Sequence, residues 1–120
     1  MKRDMELVRK ILLTIENSPH GHAGRLKIDG YTDEQVGYHV YIMGEAALLR
    51  TADVTSMGSK SPQAIPISLT WEGHEFLDAA RDEGRWNKAM EKVKSIGGEV
   101  ALSVLKELLV QIMKGQLGLP

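Results

Sequence analysis

The sequence contains no cysteine, and this absence excludes several kinds of site at once. Disulfide bonds, thiolate metal ligands and cysteine nucleophiles all require a sulfur that the chain does not have. A chain without disulfides is typical of a reducing compartment, so we expect a cytoplasmic protein.

Long apolar runs and an excess of one charge are also missing. Near the amino terminus, Glu6, Arg9 and Lys10 interrupt the apolar residues, so this stretch is neither a signal peptide nor a membrane span. The chain has 15 basic and 16 acidic residues, a formal net charge of -1. No overall field therefore draws the protein to nucleic acid or to an anionic membrane, and any basic footprint must be local. We expect no membrane partner.

Aromatic side chains are scarce, at 5% of the chain. Two of them, Trp71 and Phe76, fall in an amphipathic stretch that runs to Arg81, and Thr70 can cap a helix there. An indole and a phenyl ring offer the largest single burial in the protein. We therefore expect both rings to anchor this helix to the core.

The clearest pattern is a helix start within the stretch from Tyr31 to Arg50. Thr32 followed by Gln35 fits a capping box. Apolar residues then recur at spacings that place them on one side of a helix. These residues are Val36, Val40, Met43 and Ala47. The pattern predicts a helix over 32–47.

Two further elements are predicted before this helix. Apolar residues recur at helical spacing from Asp4 to Glu16, with acidic residues first and basic residues later, which predicts a first helix. Residues 17–24 are rich in helix-breaking types and predict a loop. Residues 25–28 alternate polar and apolar side chains before a turn at Asp29 and Gly30, which predicts a short strand.

A hairpin is predicted after the central helix. Residues 48–54 and 65–69 have strand composition, and the polar segment between them is too long for a two-residue turn. Pro66 lacks an amide donor, so we expect it where its strand faces solvent or has just begun.

Two more helices are predicted at the carboxyl end. The first ends near Ser95, with Gly97 and Gly98 at its cap. The second covers residues 100–113 and is apolar on two sides, so it is either deeply buried or shared between subunits. We expect a homo-oligomer, in its simplest form a dimer. The interface candidates are Leu102, Leu105, Leu109 and Ile112.

Three motifs, in this order, resemble one known family: MKRDMELVRKILLTIE, GYTDEQVGYHVYIMGEAALL and PISLTWEGHEFLDAARDEGRWNK. They resemble the bacterial and phage family catalogued as domain of unknown function twenty-five-thirteen. The stretch ISLTWEGHEFLDAAR also resembles the wing strand and following helix of winged-helix transcription regulators. The family resemblance implies a small non-enzymatic domain and assigns it no catalytic or ligand residues.

The predicted elements together indicate an α+β domain with a winged-helix-like core. Three helices would surround a small antiparallel sheet, and two carboxyl-terminal helices would be added to them. A single domain would cover 1–120, with the core at 1–83 and the helical extension at 84–120. A complete helix-turn-helix has a supporting helix before its recognition helix, whereas residues 17–30 here form a loop and a strand.

Two functions are compatible with this pattern. A winged-helix core favours a DNA-binding, regulator-like protein, with DNA-contact candidates Gln35, Tyr38, Arg50 and Lys60. The central helix has no lysine or arginine, however, and these residues supply most DNA contacts. The alternative is a protein-interaction or dimerisation module without DNA binding. The expected partner is thus duplex DNA or another protein.

Catalytic and metal chemistry have no candidate machinery in the sequence. There is no glycine-rich phosphate loop, nucleophile elbow or carboxylate pair with an obvious pocket, so we expect no enzyme activity and no cofactor. His20 and His22 alternate in a loop, with His39 and His74 further along. Two neighbouring histidines without a defined third ligand are a weak signal, so we expect no metal site.

Overall fold

A computed structural model describes all 120 residues as five helices and one two-stranded antiparallel hairpin, an α+β arrangement. The elements in chain order are α1 (Met5–Glu16), α2 (Asp33–Glu45), β1 (Leu49–Asp53), β2 (Ala64–Leu69), α3 (Trp71–Ala80), α4 (Glu83–Ser95) and α5 (Leu102–Gln116). The chain divides into two compact units, Met1–His74 and Glu75–Pro120. This division lies within α3, before the limit at residue 83 that the sequence suggested for the core. None of the helices combines the length and the apolar character needed to cross a bilayer.

Helix α1 begins where its sequence predicts. Asp4 is the N-cap residue, and its Oδ1 accepts hydrogen bonds from the amides of Glu6 and Leu7 at 2.9 and 3.3 Å. A side-chain oxygen at this position satisfies amides that have no partner inside the helix. The apolar face is buried in the first unit and consists of Leu7, Val8, Ile11, Leu12 and Ile15.

Helix α2 has the predicted capping box. The Thr32 hydroxyl accepts from the Gln35 amide at 3.1 Å, and the Gln35 side chain accepts from the Thr32 amide at 2.8 Å. The end of the helix differs from the prediction, because α2 stops at Glu45 and Ala47 is exposed with a φ of 61°. That left-handed turn directs the chain into β1, and it removes Ala47 from the buried stripe.

The predicted hairpin is present, with an irregularity that explains Pro66. Strands β1 and β2 pair antiparallel from Leu49↔Leu69, and the register shifts between Arg50 and Thr51. Pro66 lies opposite Thr51 beside this shift and is buried, rather than solvent-facing or at the start of its strand. A bulge tolerates proline because the hydrogen-bond ladder is already interrupted there.

The predicted strand over residues 25–28 is wrong, because this segment has no regular secondary structure. One backbone hydrogen bond joins the preceding residues to the sheet: the Ala23 amide donates to the Ile67 carbonyl at 2.7 Å. Ile67 is the residue that the register shift leaves without a Cα partner on β1. A strand requires repeated pairing, and the alternating pattern of four residues cannot supply it when only one amide reaches β2.

Helix α3 is held against the junction between α2 and β1. The Thr70 hydroxyl donates to the Ala47 carbonyl and accepts from the Gly73 amide at 2.9 Å, as a cap. Gly73 packs closely there, since a Cβ atom on it would lie 2.1 Å from the Leu48 carbonyl oxygen. Only glycine permits such an approach without movement.

The expectation that both aromatic residues of α3 are buried is wrong for Trp71. Phe76 is 1% exposed, whereas Trp71 is 76% exposed. The physical reason is helical geometry: five residues at 3.6 per turn place the two rings about 140° apart, so a single covered face cannot contain both. The indole at the first position of the helix is the one that remains outside.

The second unit is built around α4 and α5. The buried residues of α4 are Trp86, Ala89 and Val93. The helix ends at Ser95, as the sequence predicted, and Gly97 and Gly98 follow it with positive φ. The Arg85 side chain donates to the carbonyl of Ala79 at 2.7 Å and to the Gln116 side chain at 2.6 Å. One guanidinium thus closes the carboxyl end of α3 and holds the last turn of α5.

Candidate functional site

The hairpin loop and the first turn of α2 form one continuous surface. The Ser61 hydroxyl donates to the Glu34 carboxylate at 2.8 Å, and the Gln63 amide group donates to the Glu34 carbonyl at 3.2 Å. The Gln63 side chain also covers Gly37, where a Cβ atom would lie 1.9 Å from its oxygen. We name the first turn of α2 together with loop residues 54–63 the helix–loop surface.

The loop within this surface has an internally bonded conformation. The Ser59 amide donates to the Ser56 carbonyl at 3.0 Å and closes a turn. The Ser59 hydroxyl accepts from the Ser56 amide at 3.1 Å. Hydrogen bonds from Thr55 lower the pKa of the Asp53 carboxyl at the loop entrance. Met57 and Lys60 are exposed on this framework. The loop therefore presents the apolar side chains of Val54 and Met57 and the cationic side chain of Lys60 on a defined backbone.

The four predicted DNA-contact residues do not converge. Gln35 is half-buried, with its side-chain oxygen committed to the capping box, and Tyr38 is half-buried with its ring edge-to-face against His39. Arg50 pairs with Ser68 at the base of the hairpin, where its guanidinium donates to the Leu69 carbonyl at 3.1 Å. Lys60 lies in the loop at the opposite end of the strands. Only Lys60 and Gln35 thus lie near the start of α2.

The charge around α2 is predominantly acidic. The helix contains Asp33, Glu34 and Glu45 and no lysine or arginine. Across residues 29–74 the sequence has six acidic residues and two basic residues, a net charge of -4, whereas residues 1–28 have three acidic and six basic residues, a net charge of +3. Along the chain, the first unit thus has a basic part before residue 29 and an acidic part that contains α2.

Sequence reasoning missed a buried polar link between α1 and α2. His39 is 1% exposed, and its Nδ1 lies 2.8 Å from the Gln35 carbonyl oxygen, which can only accept. Nδ1 therefore carries the hydrogen, and Nε2 accepts from the Asp4 amide at 2.9 Å. The signal was present in the sequence, because His39 lies between Val36 and Val40 on the buried side of the helix.

Tyr31 makes a second link to the start of α1. Its hydroxyl donates to the Asp4 carboxylate at 3.1 Å, and the Lys10 ammonium lies 5.4 Å from the centre of its ring. Burial raises the pKa of the Tyr31 hydroxyl, and the negative charge of Asp4 raises it further. The phenol is therefore a neutral donor at physiological pH.

A small cleft lies beside the helix–loop surface. Residues of α2, β2 and the segment before α2 line a cleft of about 20 Å³, with Arg25 and Asp33 among the lining side chains. This volume has room for about one water molecule and is far below the 300–1,000 Å³ that is typical of small-molecule sites. The chain has no cluster of three histidine or carboxylate side chains that could hold a metal ion.

The predicted interface residues of α5 have different environments. Leu105 and Leu109 are fully buried within the chain, whereas Leu102 and Ile112 are half-buried. Val104 on the same helix is exposed. Of the four predicted residues, Leu102 and Ile112 remain accessible to a subunit contact through α5, because the other two side chains are already covered.

Comparison with known proteins gives a family and no activity. The sequence model of the family described as hypothetical protein (DUF2513) matches residues 2–99. A protein of Haemophilus influenzae strain Rd, named uncharacterized protein, is 34% identical over 120 residues, covering 98% of this chain and 99% of its own length. No solved structure matches the chain. Helix α5 lies beyond the part that the family model matches.

Proposed function

We propose, from the premise that this chain belongs to the DUF2513 family, that it is a non-enzymatic interaction domain whose helix–loop surface binds a basic protein partner. The family description names no activity, so the proposal is based on the surfaces of the first unit.

The proposal includes a winged-helix-like form for this unit. The order helix, helix, hairpin, helix supports it, and so does the loop that lies against the start of α2 in the position of a wing. The supporting helix of a complete helix-turn-helix is missing, since residues 17–32 contain no helix. Because a fold alone does not determine a function, a winged-helix-like unit without that helix can bind protein instead of DNA.

One observation carries the choice of partner. The first turn of α2 presents Asp33 and Glu34 beside the loop, and the exposed Lys60 of the loop offsets only one of these two charges. Carboxylates repel phosphate and attract lysine and arginine, so this surface is complementary to a basic protein segment. Met57 adds an exposed apolar contact of the flexible kind that suits protein interfaces.

The test is binding of a fluorescent oligo-arginine peptide at low salt, measured by anisotropy. We expect the Asp33→Asn/Glu34→Gln variant to bind several-fold more weakly than the unmodified protein, because two rim charges mainly govern encounter. The matched control, Glu91→Gln/Glu107→Gln, removes the same charge from exposed positions of α4 and α5. Equal weakening by both pairs would mean that the peptide senses only net charge, and the proposed surface would be wrong.

A second candidate function is DNA binding led by the loop. It is favoured by Lys60, which is exposed on a loop held to the start of α2. In that case the Arg50→Ala/Lys60→Ala variant should bind all duplex sequences more weakly and with a flatter salt dependence, by roughly 0.9 in logarithmic slope for each lost phosphate contact. Changes at Gln35 or Tyr38 should instead alter sequence preference.

A further inference from the structure

Tyr31 is the point at which three segments of the first unit meet. Its hydroxyl bonds the Asp4 carboxylate at the start of α1, its ring lies under the Lys10 ammonium in the middle of α1, and its amide donates to the Ile28 carbonyl at 3.2 Å. These contacts bring the beginning of α1, its second turn and the segment before Tyr31 to one place.

Each of these segments carries an exposed cation next to its contact with Tyr31. Lys2 and Arg3 precede Asp4 directly, Lys10 is itself the contact, and Lys27 precedes Ile28. We name these four residues the Tyr31 cluster. They come from the part of the chain that has three more basic than acidic residues.

The acidic residues nearby reduce this charge only in part. The Asp4 carboxylate accepts from two α1 amides and from Tyr31, so its oxygens are already engaged inside the unit. Glu6 is half-buried and Asp29 is exposed. The exposed side chains around Tyr31 thus include the four cations and the Asp29 carboxylate, and the Glu6 carboxylate is half-buried.

We infer that the Tyr31 cluster is a binding surface for the phosphate backbone of nucleic acid, separate from the helix–loop surface. Lysine acts as a point charge on a flexible stem, so such a surface contacts phosphates without selecting bases. The half-buried Tyr31 ring holds Lys10 by a cation–π contact and thereby limits its freedom. A membrane is less suited to this surface, because anchoring there needs an apolar face beside the cations, and only Met1 is both apolar and exposed at this end of α1.

The experiment is a salt titration of a short fluorescent DNA duplex, between about 50 and 200 mM salt, followed by anisotropy. The unmodified protein should bind with a negative logarithmic slope. In the Lys10→Gln/Lys27→Gln variant the slope should fall by roughly 1.8, since each of two lost phosphate contacts removes about 0.9. The Lys2→Gln/Arg3→Gln variant should show a similar change, and because both residues precede α1 it leaves every helix intact.

Two matched controls locate the surface. Lys88→Gln/Lys92→Gln removes the same charge from α4 and should leave the slope unchanged. If Lys60→Gln alone flattens the slope, the loop binds the duplex and the cluster proposal is overturned. It is also overturned if no duplex binds at about 50 mM salt, or if phosphatidylserine vesicles bind through the cluster and the duplex does not.

The outcome is independent of the proposed function. Oligo-arginine binding depends on Asp33 and Glu34, whereas duplex binding depends on Lys10 and Lys27. One surface can therefore fail while the other holds.

Discussion

At the scale of single residues, two side chains have a degree of burial that is unusual for their residue type. Trp71 carries the most apolar type of ring and is exposed, whereas His39 is polar and fully buried. Residue type alone predicts neither outcome. The helical position predicts both, because Trp71 lies about 140° from Phe76, while His39 lies between Val36 and Val40.

Substitution of the two α3 rings should therefore give unequal results. Phe76→Ala should lower the free energy of unfolding by roughly 3 to 5 kcal/mol, because it leaves a cavity in a covered site. Trp71→Ala should change it by no more than about 0.5 kcal/mol, as surface replacements usually do. Urea unfolding at equilibrium measures both values. A loss of several kcal/mol for Trp71→Ala would show that its ring is buried in solution.

The raised pKa of Tyr31 predicts a loss of stability at alkaline pH. The folded state keeps the phenol proton above the pH at which an unfolded tyrosine releases it, at about 10. The contribution of Tyr31 is thus complete below that pH and is lost as the pH rises through the folded pKa. The Tyr31→Phe variant should unfold with a weaker pH dependence in this range, measured by urea midpoints. Identical profiles would mean that the hydroxyl has no altered environment.

At the scale of elements, the sequence predicted those with local start and stop signals. Helix α1 has its N-cap Asp4, α2 has its capping box and α4 has its two glycines, and all three lie where expected. The segment 25–28 is followed by a turn at Asp29 and Gly30, but a strand also requires a partner edge, which a sequence does not show. Close approaches between elements are also not predictable from the sequence, because they depend on tertiary packing.

Among the glycines, Gly73 makes the closest approach to the backbone of another element. In Gly73→Ala, the new Cβ would lie 2.1 Å from the Leu48 carbonyl oxygen, so α3 must move from the α2–β1 junction. We expect a loss of roughly 1 to 3 kcal/mol in the free energy of unfolding, as for other overpacked sites. Gly115→Ala is the control, since nothing lies within 4 Å of its position. That change should stabilise α5 by about 0.5 to 1 kcal/mol. Equal effects in urea unfolding would contradict the close packing.

At the scale of the whole molecule, the sequence showed a small net charge and the structure shows how that charge is divided. Residue type alone makes Arg50 and Lys60 candidates for DNA contact. The fold places them at opposite ends of the hairpin. The approach of Lys10 to the Tyr31 ring depends on a tertiary contact and is not predictable from spacing. Family membership assigns no function to either surface.

Self-association through α5 remains a prediction at this scale. Val104 is exposed and Ile112 is partly exposed, and eight residues at 3.6 per turn place them about 80° apart, so an apolar side of the helix is open in the single chain. We expect a dimer by sedimentation equilibrium, weakened by Val104→Gln, whereas the urea midpoint should stay unchanged when it is measured at concentrations at which both proteins are monomeric. A strict monomer at high micromolar concentration would show that the chain does not use this helix as an interface.

The central claim is that the start of α2 and the hairpin loop form one interaction surface, on which the two carboxylates of Asp33 and Glu34 outnumber the one lysine, Lys60. Amide chemical-shift mapping with an oligo-arginine peptide tests it most directly. The account predicts that the shifts concentrate at Asp33, Glu34 and loop residues 54–63, with little change in α4 and α5. Shifts confined to the second unit, or spread evenly over all exposed carboxylates, would contradict it.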